Sequence, residues 1–249
     1  MNIWQTGIVA LLGLTFAAPA AADSDWSISG NIGITNDYVF RGFSQTNEDF
    51  AVQGGLDISH ASGFYSGVWA SNVEFLDNDG TNSTSVEIDL YAGYGGEFGS
   101  IFSYDIAAIY YAYPGDPAGA NSDYWEFGAT LGVDIGRVRA GVGLWYSPDF
   151  FGGTGDALHI PLTLDVPIPL GNGPVGLSFS GDVAFNELLN TGATWDGATS
   201  DYFNWSLGFT VTIEDWFDVD LRYHDTDLNG VFCKDLCDER FTVKVSRSL

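Results

Sequence analysis

The chain has 249 residues, a formal net charge of −25 and only 8 Lys+Arg. Such acidity excludes nucleic acid as a partner, because phosphate binding needs clustered Lys and Arg. It is not a disordered acidic tail either: 45% of residues are hydrophobic and 15% aromatic, more than a solvated segment carries.

The chain opens MNIWQTGIVALLGLTFAAPAAADSDW. An apolar run from Gly7 to Phe16 leads into small residues, with Ala20 and Ala22 in an A-x-A arrangement before Asp23. This pattern predicts a cleavable secretory signal peptide over 1–22 and a mature domain over 23–249. The leader has no Lys or Arg, so the free amino terminus supplies its positive charge. Beyond it no run of eighteen apolar residues occurs, so no transmembrane helix is expected.

From residue 26 onward the pattern has period two. WSISGNIGIT sets Trp26, Ile28, Ile32 and Ile34 against Ser27, Ser29, Asn31 and Thr35. VEIDLYAGY sets Val86, Ile88, Leu90, Ala92 and Tyr94 against Glu87 and Asp89, and WEFGATLGVDI and FNWSLGFTVTI alternate in the same way. Strict alternation means strands with one apolar and one polar face. Twelve such runs are expected, near 26–36, 50–60, 63–75, 84–95, 102–113, 123–135, 137–147, 157–166, 174–186, 201–213, 216–226 and 239–249. Each has roughly the ten residues that a tilted membrane-spanning strand requires, and the even number returns both chain ends to one side.

The connections sort by side. Short ones fall at 60–63, 135–137 and 213–216, with 96–101 and 167–173 somewhat longer on the same side. The other side carries 37–49, 76–83, 114–122, 148–156, 187–200 and 227–238. Short periplasmic turns and longer outer loops are the signature of an outer-membrane barrel; a soluble sandwich has no reason to sort its loops. Trp26, Trp216, Phe241, Tyr94, Tyr104, Trp125, Tyr146 and Tyr202 sit near strand ends, as interfacial girdles do. The final FTVKVSRSL alternates to a terminal leucine and is similar to the assembly signal read by the barrel-assembly machinery, which usually ends in Phe. The expected fold is therefore all-β: a transmembrane antiparallel up-and-down barrel of about twelve strands. It would lie in the bacterial outer membrane, in contact with lipid and lipopolysaccharide.

The stretch NDYVFRGFSQTNEDFAVQGGLDISHASGFYSGVWASNVEF (36–75) resembles the opening of the TorF family of porins. The resemblance rests on Asp37, Tyr38, Arg41, Gly42, Ser44 and Gln45, then Gln53, Gly54, Gly55, Gly63, Tyr65, Gly67, Trp69, Ser71 and Asn72. The end, CKDLCDERFTVKVS, is similar to that family's closing cysteine pair, acidic residue, Arg and last strand. The likeness spans the mature chain and is strongest at its two ends. It implies an outer-membrane barrel with a transport role and names no substrate.

Parity places Asp57, Glu74, Glu87, Asp89, Glu126, Asp134, Asp165, Asp182, Asp218 and Asp220 toward the lumen, with Arg139, Arg222 and Lys244 as the cations. A wet lumen lined mainly by carboxylates concentrates cations. The expected function is passive diffusion of ions or small hydrophilic solutes with weak cation preference. The alternative is a non-conducting barrel with a structural or surface-binding role through its loops. Arg41, with Asp37 and Tyr38, either sets a constriction from an inward loop or ties the first two strands through a local Arg–carboxylate bond; the second is favoured. Asp77, Asp79 and Gly80 resemble the start of a calcium loop but lack its distal Glu, so a solvated acidic loop is expected and no metal.

Three residues separate Cys233 from Cys237. An exported pair this close favours a disulfide. Zinc would need two more ligands, and His60, His159 and His224 are scattered. No G-x-S-x-G or H-E-x-x-H motif occurs, so neither catalysis nor a cofactor is expected; a hydrolase built on His159 or His224 is the third and least favoured possibility. The leader yields a direct test: intact mass and N-terminal sequencing of protein purified from membranes should place the first residue at Asp23, and a retained Met1 would contradict cleavage.

Overall fold

The computed structural model describes residues 25–76, 82–171, 173–190, 192–195, 199–214, 216–229 and 233–249. The expected leader and the Asp77–Asp79–Gly80 loop lie outside them. Twelve strands form the wall: β1 (Trp26–Thr35), β4 (Ala51–His60), β5 (Phe64–Leu76), β6 (Asn82–Phe98), β7 (Phe102–Ala112), β8 (Tyr124–Ile135), β9 (Val138–Phe150), β10 (Gly155–Ile168), β11 (Val175–Leu188), β12 (Asp201–Ile213), β13 (Phe217–Thr226) and β14 (Arg240–Ser248). Two short strands, β2 (Val39–Phe40) and β3 (Phe43–Ser44), form a separate hairpin.

All wall pairings are antiparallel, and each strand after β4 pairs with its sequence neighbours. The ring closes where β1, already paired with β4, also pairs with β14, from Asn31 opposite Ser248 to Thr35 opposite Lys244. Leu249 completes the seam: its N–H donates to Gly30 O at 2.8 Å, and Gly30 N–H donates back at 3.2 Å. Closure is what a bilayer demands, since an unpaired backbone group in hydrocarbon has no water to bond. The outward faces carry exposed Ile28, Leu56, Leu90, Ile106, Leu131, Leu144, Leu162, Leu207 and Leu221. With the edges removed, this apolar band is the surface that meets lipid.

All twelve expected runs are strands, with shifted ends. β6 continues to Phe98, whose ring stacks at 5.3 Å on that of Phe102 at the start of β7, so the connection expected over 96–101 shrinks to 99–101. The Gly-rich GGEFG hides this continuation, because glycines show no alternation. Tyr202 departs from the girdle expected for it. It is 2% exposed and faces inward, at the parity of Asn204 and Ser206.

The inward faces hold large aromatic rings laid over glycines of the neighbouring strand. Trp145 pairs with Gly128, Tyr65 with Gly93 and Tyr91 with Gly67. A Cβ added at Gly128 would lie 2.3 Å from the Trp145 ring. Gly128→Ala should therefore displace Trp145 and lower stability by about 1–3 kcal/mol, the usual effect of overpacking. Gly176→Ala meets nothing closer than 3.4 Å and should be near neutral. Urea unfolding in detergent, read from the heat-modifiable gel band, compares the two.

Candidate functional site in the barrel interior

Call the end that holds Trp26 and Leu249 the terminal end and the opposite one the loop end. Segment 36–50, which follows β1, folds back into the loop end. Its hairpin turns at Arg41 and Gly42, with φ of 50° and 86°, the left-handed pair that a two-residue hairpin requires. A side chain at Gly42 would meet Thr226 Cγ2 at 2.3 Å, so glycine also permits the close approach to the wall.

The tip carries Arg41 across the interior. Its Nη2 donates to Glu126 Oε2 on β8 at 2.7 Å, with side-chain exposures of 6% and 2%. Tyr111 Oη donates to the same carboxylate oxygen at 3.1 Å, and Tyr202 Oη donates to Arg41 O at 2.9 Å. The guanidinium lies over Phe40, 4.7 Å from the ring centroid. This corrects the local tie expected between Arg41 and the first two strands: Arg41 reaches a carboxylate eighty-five positions away in sequence. Asp37 is held differently. It accepts from Ser44 Oγ at 2.7 Å, Thr46 Oγ1 at 3.0 Å and Arg240 Nη1 at 2.9 Å.

Tyr38 Oη donates to Glu87 Oε1 at 3.3 Å. Burial, and then the Glu87 and Asp89 carboxylates, push this phenol well above its usual range, so it remains a donor. Glu87 and Asp89 alternate on β6 and both are buried. Around them, buried Trp69, Tyr111, Tyr113, Tyr124 and Phe150 fill the loop end. The opposite wall carries a chain of polar contacts: His159 Nδ1 to Asn186 Oδ1 at 2.6 Å, Asn186 Nδ2 to Asn204 Oδ1 at 2.8 Å, and Asn204 Nδ2 to Asp182 Oδ2 at 3.5 Å. Ser206 Oγ donates to Asp182 and accepts from Arg222 Nη1 at 3.1 Å.

Toward the terminal end two ion pairs are partly exposed, whereas Asp57 and Asp105 stay buried. Arg139 bonds Asp134 at 2.9 Å and Arg222 bonds Asp220 at 3.0 Å. Lys244 stands opposite Asp220 in the strand register. Asp218 accepts from Thr212 Oγ1 at 2.6 Å, Asp105 from Tyr65 Oη at 2.9 Å, and Asp57 from Tyr91 Oη. Trp69, Ser71 and Val73 are buried at the inward parity; Glu74 lies in the register irregularity between Asn72 and Phe75, where alternation assigns no face, and its N–H donates to Gln45 O at 2.8 Å.

Cys233 and Cys237 form the disulfide. Their sulfurs lie close to the Asp238 carboxylate, but joined sulfurs offer no thiolate to a metal. The histidines do not converge: His60 bonds Ser62 in an exposed turn, His159 bonds Asn186, and His224 bonds Thr242. The aromatic filling was absent from the expected site; its one legible signal is a glycine paired with a large ring. Removing the guanidinium alone would leave the buried Glu126 carboxyl without its ion-pair partner. Arg41→Ala should cost about 3–5 kcal/mol, and adding Glu126→Gln should recover part of that loss. A double-mutant cycle by urea unfolding measures both effects.

Among solved structures the chain is similar to the KdgM porin, with a TM-score of 0.58, 9% identity, and coverage of 89% of this chain and 98% of that one. The NanC porin gives 0.54 at 9% identity over 88% and 98%. LpxR from Salmonella typhimurium gives 0.50 at 10% identity over 89% and 99%. At such identities the likeness is one of fold. No curated protein matches the chain. A family model described as "Bacterial protein of unknown function (Gcw_chp)" matches residues 19–249, and the chain therefore belongs to the Gcw_chp family.

Proposed function

We propose that this chain is an outer-membrane channel for passive diffusion of ions or small hydrophilic solutes, weakly cation-selective, with the β2–β3 hairpin as its closure at the loop end. The observation that carries this is the lining of the terminal end. Asp57, Asp105, Asp134, Asp165, Asp182, Asp218 and Asp220 face inward there, against Arg139, Arg222 and Lys244. The carboxylate excess holds cations and repels anions in a narrow, low-dielectric passage. The resemblance of 36–75 and of the closing segment to TorF porins supports the transport role, and the porin fold supports the location. The KdgM porin has been solved in complex with disordered oligogalacturonate; an acidic lining makes such a carboxylated sugar a poor solute for this chain.

The alternative, a non-conducting barrel acting through its loops, draws on the filled loop end. Single-channel recording of refolded mature protein separates the two. Under a KCl gradient, the wild type should open rarely, with a reversal potential on the cation side. Replacing residues 39–44 with glycines should raise open probability. Anion preference would overturn the selectivity, and silence in both proteins would leave the non-conducting barrel.

A further inference from the structure

The loop before β14 does more than close a small ring. Ser44 N–H, on β3 of the inward hairpin, donates to Leu236 O at 2.8 Å. Arg240 grips both partners. Its Nη1 meets Asp37 Oδ2 at 2.9 Å and Glu48 Oε1 at 3.5 Å, while its Nη2 and Nε donate to Asp235 O at 2.9 Å and Asp238 O at 3.2 Å. The Arg240–Asp37 pair is nearly sealed, with side-chain exposures of 8% and 5%. On its other side the loop is anchored to the wall, where Thr226 Oγ1 donates to Cys237 O at 2.8 Å and Cys237 is 1% exposed.

We propose that the disulfide-closed loop 233–240 is a latch that holds the inward hairpin in the barrel. The turn that presents these carbonyls holds two consecutive left-handed residues, Lys234 at φ 54° and Asp235 at φ 65°. Side-chain-bearing residues adopt that backbone rarely and keep it only when their surroundings enforce it. The Cys233–Cys237 bond spans both positions and limits what else the ring can do. The bond thereby fixes a turn whose carbonyls receive the hairpin, and Arg240 locks hairpin and turn together. The hairpin is also held at its tip by Arg41–Glu126, so the latch governs its rim-side half.

The test compares wild type, Cys233→Ala/Cys237→Ala and Arg240→Gln as refolded full barrels, by hydrogen exchange of peptides covering 36–50 and β11. Each variant should speed exchange in 36–50 by roughly tenfold or more while leaving β11 unchanged, a local opening of the kind seen in weakly held segments. Unchanged exchange in 36–50 in both variants would overturn the latch. So would faster exchange in β11 as well, which would make the loop a staple of the whole barrel. The conductance consequence rests on the channel proposed above. Faster exchange with more frequent openings supports both ideas, and faster exchange without openings keeps the latch and removes the channel.

Discussion

β1 and β14 come from opposite ends of the chain, and their pairing turns a sheet into a tube. Without it, two rows of backbone donors and acceptors would face hydrocarbon. The seam also decides where the interior machinery hangs. The hairpin segment leaves the top of β1 and the latch loop enters the top of β14, so closure brings them side by side. Asn36 marks the junction: its side chain accepts from Val243 N–H at 2.6 Å and donates to Phe241 O at 3.2 Å.

Once sealed, the interior must satisfy what it buries. Bare carboxylates in a low-dielectric space are expensive, and two of the acidic residues gather several donors. Glu126 takes a guanidinium and a phenol; Asp37 takes two hydroxyls and a guanidinium. Tyrosine suits this role because its ring fills volume while its hydroxyl donates. The hairpin thus works as a second core inside the wall, built from side chains that a soluble protein would place in its center.

The wall was legible in the sequence because a strand with one lipid-facing side must alternate. WSISGNIGIT and FNWSLGFTVTI announce their faces, and the polar partners Glu87, Glu126 and Asp182 take the inward parity that alternation assigns. What alternation does not say is that the inward face is polar throughout. In VWASNVEF the inward residues are Trp69, Ser71 and Val73, and the register breaks between Asn72 and Phe75, so alternation assigns Glu74 no face. The interior contacts were harder still. Arg240 meets a carboxylate 203 positions earlier in the chain, and nothing local in RGF or DER specifies such partners. Strand register and closure bring them together, and both are properties of the whole sheet.

The aromatic rings resting on glycines separate two properties that most folds entangle. The lipid face fixes whether the barrel inserts; the ring-and-glycine pairs fix how much room remains inside. Exchanging Trp145 or Tyr65 for a smaller residue would widen the bore without touching a lipid-facing side chain or a backbone pairing. Relatives with the same wall can therefore differ widely in caliber, and the width of the passage can drift in evolution, or be set by design, almost independently of the membrane anchor.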